Sequence, residues 1–300
     1  MNTLTWWRLA IALLATVMSA PAVQAQGYSG PTLEKVREYG AIYVGHREGS
    51  IPFSYMVGDE VVGYSKDICD RIVDAIKDQL DDPTLKVVLV PVTSSSRLLM
   101  LMTGVIDLEC GSTTNTKIRQ QQVAFGVTTF VSGVKAVTRK DIGIDRIADL
   151  NGKVVVTTAG TTTERLVKTV LAARNASVRP KTARTHTESL SMVVSRQADA
   201  FVLDDAILAG LLADSPDGGK LKLLEDNFGF EPYGIALRKG DPEFKKLVDT
   251  TLIRMMKDGE IEKLYTKWFM SPIPPKGVNL QIPMSGMLKD LLSNPSDSGI

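Results

Sequence analysis

The sequence predicts an α/β protein of two lobes joined by two crossing strands, on three observations. From Leu33 onward, short β-rich runs alternate with helical patterns, the signature of α/β architecture. The same alternation starts afresh at residues 153–157, so a second unit follows the first. At 300 residues, the chain also exceeds what one hydrophobic core usually holds.

Each element can be justified in order. Residues 9–18 form an apolar run too short to span a bilayer, and Val23-Gln24-Ala25 fits a signal-peptidase site, with Ala20-Pro21-Ala22 the weaker rival. Residues 1–25 therefore read as a cleaved secretory signal. A strand is expected at 41–45, then a helix at 65–80 with Ile68, Ile72, Val73 and Ile76 on one face and Cys69 beside it. A strand at 86–92, a Ser-rich loop, a helix at 97–103 closed by Gly104 and a strand at 106–110 complete the first unit. The second unit reads as a strand at 153–157, a Gly-Thr-Thr turn at 160–162, helices at 163–173 and 188–197, and a strand at 200–203. A strand follows at 233–238, and Asp241-Pro242 supplies the cap and first-turn proline of a long helix. Residues 133–138 and 233–237 are the segments expected to cross between lobes and form a hinge over a ligand cleft. At the end of the chain, 287–292 reads as a short helix and 293–300 as a frayed tail.

Composition narrows the function. The formal charge of +1 falls to about zero once Arg8 leaves with the signal, which removes the electrostatic case for nucleic acid or an anionic membrane. The mature protein is expected to be soluble. Cys69 and Cys110 are the only cysteines, and in an oxidising compartment they read as one disulfide or, failing that, two buried thiols. No nucleophile elbow, zinc-protease helix, phosphate loop or dinucleotide fingerprint is present, and His46 and His186 are too few for a His-rich metal site. No catalytic residue, metal or cofactor is expected.

The polar loops after the strands carry the chemistry. Arg47, Arg97 and Arg119 each follow an apolar stretch and sit beside Ser, Thr or Gly. A guanidinium presents a planar fork of donors that matches a carboxylate and stays charged when partly desolvated. Residues 109–119, Glu-Cys-Gly-Ser-Thr-Thr-Asn-Thr-Lys-Ile-Arg, place hydroxyls and backbone donors ahead of a helix expected to carry Arg119. Ordinary capping with Arg119 as a surface charge is the alternative at this point.

Several motifs together resemble the periplasmic glutamate/aspartate-binding proteins of ABC transporters. They are Gly45-His46-Arg47-Glu48, Pro52-Phe53-Ser54-Tyr55, Val62-Gly63-Tyr64-Ser65-Lys66-Asp67, Thr93-Ser94-Ser95-Ser96-Arg97 and Glu109-Cys110-Gly111-Ser112-Thr113-Thr114-Asn115. Gly160-Thr161-Thr162, Asp204-Asp205, Tyr233-Gly234, Leu237-Arg238-Lys239, Trp268-Phe269 and Pro272-Ile273-Pro274-Pro275-Lys276 extend the likeness over nearly the whole mature chain. The resemblance implies a Venus-flytrap fold, with residues 31–133 and 236–300 forming one lobe and 134–235 the other. It implies that Arg119 clamps an α-carboxylate with help from Thr114 and Thr162, while Asp204 and acceptors near Ser112 take the α-ammonium. Arg47, Ser94, Arg97 and His186 would receive a side-chain carboxylate. L-glutamate or L-aspartate is the implied ligand, a membrane ABC permease the partner, the periplasm the location and a monomer the form.

Charge counting points the same way. Arg119 and Asp204 satisfy any amino acid, and Arg47 and Arg97 are surplus unless the side chain is acidic. A neutral ligand would leave buried guanidinium groups unpaired, at a cost of about 3–5 kcal/mol for one missing partner. Two points stay open in the sequence: whether His186 is in the pocket or on a surface loop, and which Ser of 94–96 faces the ligand. Asp204 is favoured over Asp205, since only one of two neighbours in an extended segment faces the cleft. Two rivals remain as well, a secreted dehydratase of cyclohexadienyl type on the same fold, with Glu109 and His186 as its only candidate acid or base, and an amino-acid sensor serving a membrane receptor.

Overall fold

A computed structural model describes residues 30–300. The expected signal segment, residues 1–25, lies outside the described residues. Two open sheets organise the chain. The first runs, edge to edge, Lys86–Pro91, Ala41–His46, Leu108–Glu109, Ala236–Arg238 and Val123–Phe125. Its first three strands are parallel, and Ala236–Arg238 is antiparallel to both neighbours. The second sheet runs Arg179–Ala183, Val154–Thr158, Ala200–Asp204, Phe130–Arg139 and Leu221–Leu223, and Gly229–Tyr233 also pairs with Phe130–Arg139. The Ala200–Asp204 strand is buried at every position, as a central strand covered by helices on both faces must be.

The expected periodicities produce the expected elements here. In the helix Tyr64–Leu80, Ile68, Cys69, Ile72, Val73 and Ile76 are all buried, and Asp81 closes it in the left-handed conformation. Cys69 is disulfide-bonded to Cys110, so this helix is tied covalently to the residue that follows the Leu108–Glu109 strand. Asp241 caps the helix Pro242–Lys257 by accepting from Phe244 N at 3.1 Å. Among the described residues, no helix is long and apolar enough to cross a membrane.

The sheets are joined by an antiparallel ribbon. Phe130 pairs with Tyr233 and Val134 with Gly229, and before them Gly126 N donates to Ile235 O at 2.9 Å. Beneath this ribbon Phe53, Tyr64, Phe130, Tyr233, Tyr265 and Phe269 pack together, for example Phe53–Phe130 edge-on at 4.8 Å and Phe130–Phe269 stacked at 4.9 Å. Such ring pairs add about 0.5–1.5 kcal/mol each beyond area burial. They give the crossing a stiff base on one side.

The structure corrects the sequence reading in five places. Residues 233–238 are two strands, because the chain changes sheets at Gly234, where an added Cβ would lie 2.9 Å from Gly126 O. The outgoing crossing falls at 126–129, ahead of the expected 133–138. The helix expected at 188–197 spans His186–Val194, because Thr185 caps it by accepting from Glu188 N at 3.1 Å. No α-helix follows residues 109–119; Arg119–Gln121 is a single 3-10 turn.

The fifth correction is the tail. After the helix Gly286–Ser293, residues 294–300 lie along the chain rather than fraying. Ser296 O accepts from Thr128 N at 2.8 Å, and Asp297 O accepts from Asn115 Nδ2 and Gln120 Nε2, both at 2.8 Å. Lys117 N donates to Ile300 O at 2.9 Å, and the Asp297 carboxylate pairs with Lys245 at 2.9 Å. The irregular loop has backbone and amide groups without a ladder partner, and the tail satisfies them.

The disulfide closes a loop of 41 residues. A Cys69→Ala/Cys110→Ala double variant is expected to lose about 2–4 kcal/mol of stability, measured by denaturant unfolding against the oxidised protein.

Candidate functional site

The side chains of interest lie at the C-terminal ends of the parallel strands, where open α/β sheets bind ligands. Arg47 follows the Ala41–His46 strand, with its backbone N–H on Ser54 Oγ at 2.9 Å and its Nη2 on Ser94 Oγ at 2.9 Å. Ser94 is thus the serine turned inward, whereas Ser96 Oγ accepts from Thr93 N at 3.0 Å. Arg97 opens the helix Arg97–Met102; its Nη1 donates to Ser112 O at 3.1 Å and lies 4.0 Å from Glu109 Oε1. Glu109 is fully buried, and its Oε2 accepts from Thr113 Oγ1 at 2.5 Å.

Arg119 spans the two sheets' loops, donating to Thr114 O at 2.9 Å and to Gly160 O at 3.1 Å. Gly160 has φ +77°, and an added Cβ would lie 2.6 Å from Ser94 O, so the loops touch only because this residue lacks a side chain. Arg47, Arg97 and Arg119 are all buried. Burial, then the Arg97 charge, push Arg47 down to about 9 and Arg119 down to about 10. Both remain cationic at neutral pH, in a setting that an anion would relieve.

His186 is buried at the start of its helix, so the surface-loop reading is wrong. Its Nε2 lies 3.4 Å from Arg47 Nη2 and its Nδ1 2.9 Å from Thr158 Oγ1. A guanidinium only donates, so Nε2 accepts and Nδ1 carries the proton. That proton goes to Thr158, whose hydroxyl lies 2.9 Å from Ser189 Oγ, and Ser189 donates to Thr185 O at 3.0 Å. Burial, followed by the charges of Arg47 and Arg97, holds His186 well below the usual histidine range. It is neutral at pH 7.

Asp204 ends its strand, buried, with Oδ1 lacking any hydrogen-bond partner among the described residues. Asp205 turns the other way, accepting from Ser132 Oγ at 2.8 Å and Gly133 N at 3.1 Å, and braces the ribbon. Next to Asp204 is Glu231, which accepts from the hydroxyls of both Thr114 and Thr162, the latter at 2.5 Å. Burial, and then the neighbouring Glu231, raise the Asp204 carboxyl well above its ordinary range.

Arg47 contacts Ser94 and His186, Arg97 reaches Ser112 O, Arg119 reaches Thr114 O, and Thr114 and Thr162 meet at Glu231 beside Asp204, so the nine expected residues form linked groups at the strand ends, where a cavity is lined by Arg47 and His186. Sequence reasoning missed Glu231, Thr158 and Ser189 altogether, and considered Glu109 only as an acid or base. Glu231 had a signal: in an extended segment it shares a face with Tyr233, two residues on. Thr185-His186-Thr187-Glu188 likewise has the spacing of a capping box, which places His186 at a helix start.

Comparisons with known proteins agree with this geometry. Residues 42–271 match the family described as bacterial extracellular solute-binding proteins, family 3. The chain is 44% identical over 291 residues to the L-glutamate/L-aspartate-binding protein of Pseudomonas aeruginosa, covering 96% of each. It is 42% identical over 295 residues to the glutamate/aspartate import solute-binding protein of Escherichia coli K12, covering 97% of this chain and 98% of the other. Among solved structures, an ancestral arginine-binding protein bound to glutamine is similar at a TM-score of 0.69 and 30% identity, over 77% of this chain and 98% of that one. The ancestral amino acid-binding protein AncCDT-1, a precursor of cyclohexadienyl dehydratase, is similar at a TM-score of 0.68 and 29% identity, over 79% and 99%.

The neutral His186 has a measurable signature. Its folded value lies below the ordinary 6.5, so its contribution to stability is complete above pH 6.5 and is lost as pH falls below it. Nitrogen-15 NMR is expected to show an Nδ1–H imidazole that does not titrate between pH 8 and about 6.

Proposed function

The chain belongs to the bacterial extracellular solute-binding proteins, family 3, and on that premise we propose that it is a periplasmic receptor that captures L-glutamate and/or L-aspartate and delivers it to a membrane ABC permease. The observation that carries the reading is a set of buried polar atoms without a hydrogen-bond partner among the described residues: Arg47 Nη1 and Arg97 Nε, with Glu109 Oε1 set against Arg97 at 4.0 Å, and, beside Glu231, Asp204 Oδ1. With Glu109 offset by Arg97, this leaves unpartnered guanidinium donors and the Asp204 carboxyl, whose raised pKa an adjacent ammonium would pull down, a set that an acidic amino acid can satisfy with its carboxylates and its ammonium.

Glu109 refines the charge count. Lying 4.0 Å from Arg97, it offsets one of the two positive charges there, so Arg47 and Arg97 together leave one charge for one side-chain carboxylate. Arg119 serves the α-carboxylate, and Asp204 the α-ammonium. Ser94, Ser112, Thr114 and Thr162 fix the orientation of these groups. His186 works through Arg47: its Nε2 is occupied as an acceptor, so it steers the guanidinium rather than donating to the ligand. We propose a division of the lobes at 31–133 with 236–300 and at 134–235, an outgoing boundary a few residues beyond the change of sheet at 126–129. A ligand touching Arg119 and Asp204 together then favours the closed arrangement through contacts on both sides.

The curated relatives that match over nearly the full chain are binding proteins, and the dehydratase alternative is not favoured. The site chemistry points the same way. Both nitrogens of His186 are engaged, by Arg47 and Thr158, and Glu109 is held against Arg97 with one oxygen bonded to Thr113.

Calorimetry with a panel of amino acids tests the reading. Arg119→Ala is expected to abolish binding of every amino acid, and Arg97→Ala to weaken acidic ligands selectively, by about 3–5 kcal/mol. Tight binding of glutamine or arginine by the unaltered protein, with no response to glutamate or aspartate, would sink the acidic assignment.

A further inference from the structure

We propose that Glu231 makes the site selective for ligands bearing an α-ammonium group, by holding the Thr114 and Thr162 hydroxyl oxygens as acceptors beside Asp204. This rests on the amino-acid reading above and adds a specificity residue to it. Glu231 lies on the Gly229–Tyr233 strand of the ribbon and is only 2% exposed. Its two carboxylate oxygens are divided between the cleft walls, one accepting from Thr114 after the Leu108–Glu109 strand and the other from Thr162 after the Val154–Thr158 strand.

Each threonine hydroxyl has a single proton. Both protons are committed to Glu231, so toward the cleft the two oxygens present lone pairs only. Asp204 Oδ1, buried and without a protein partner, is a third acceptor. An ammonium brings three N–H donors to these three oxygens. The resemblance assigned the threonine hydroxyls to the α-carboxylate, but while Glu231 takes their protons they serve the ammonium, and Arg119 with backbone N–H groups serves the carboxylate.

A ligand with a methylene in place of the ammonium-bearing carbon meets the opposite situation. Three acceptors are left without a donor, and its carboxylate arrives beside the carboxyl groups of Asp204 and Glu231, both of which act on Arg119. A site built to hydrogen-bond a polar group rejects the analogue lacking it far more strongly than a hydrophobic site rejects a missing methylene.

The test compares L-glutamate with glutarate, the same dicarboxylate without its amine, by calorimetry. The unaltered protein is expected to prefer L-glutamate by on the order of 1000-fold or more. In Glu231→Gln the amide accepts from one threonine and donates to the other, which turns one hydroxyl around. The preference is then expected to fall at least tenfold, mainly through weaker L-glutamate binding. Thr162→Val removes one acceptor while leaving Glu231 in place with its hydrogen bond from Thr114, and is expected to lower the preference in the same direction, which keeps the test usable if Glu231→Gln does not fold. Equal weakening of both ligands in the folded variants, or an unchanged ratio, overturns the inference and leaves the acidic amino-acid reading standing. No binding of L-glutamate or L-aspartate by the unaltered protein overturns both.

Discussion

The buried charge of the cleft is the constraint on which the rest of the structure depends. Arg47, Arg97 and Arg119 are withdrawn from water together with Glu109, Asp204 and Glu231. Removing an ion from water costs several kcal/mol even after relaxation, and the cost is recovered only where geometry and hydrogen bonds are good. The protein meets that demand unevenly. Glu231 is braced by two threonine hydroxyls and Arg119 by two carbonyls, but Arg47, Arg97, Glu109 and Asp204 each keep an atom without a hydrogen-bond partner among the described residues. Incomplete satisfaction costs stability, and on the proposed function a ligand of complementary charge would recover it.

These atoms come from both sheets. Each sheet delivers its polar residues from strand ends, and the aromatic cluster under the ribbon fixes one side of the crossing while the loops meet on the other. Gly160 sets how close that meeting can be. The disulfide at Cys69 and Cys110 ties the start of the arginine- and threonine-bearing loop to the helix Tyr64–Leu80.

Much of the fold was legible in the sequence, because β-rich runs and helical stripes report burial directly. Ile68, Ile72, Val73 and Ile76 are buried where their spacing put them, and Asp241-Pro242 opens a helix as its chemistry requires. What was not legible depends on distant partners. The loop around Arg119 looks like a helix start, but its backbone groups bond to the ribbon and the tail, as in Asn115 N to Pro232 O at 2.8 Å. Glu231 reads locally as a solvated strand residue, and only the two threonines that converge on it make it an interior group. The tail is polar and short of apolar residues, so composition alone suggested fraying. Its order comes from unsatisfied amides more than a hundred residues away.

That tail also gives access to the site from behind. Ser298 is exposed, yet its neighbours Asp297 and Ile300 hold Asn115, Lys117 and Gln120, which flank Thr114 and Arg119. A fluorophore attached at Ser298 would sit against the loop that carries Thr114 and Arg119, outside the buried charge cluster, and on the proposed function it would be an optical reporter of occupancy that leaves the binding side chains unaltered.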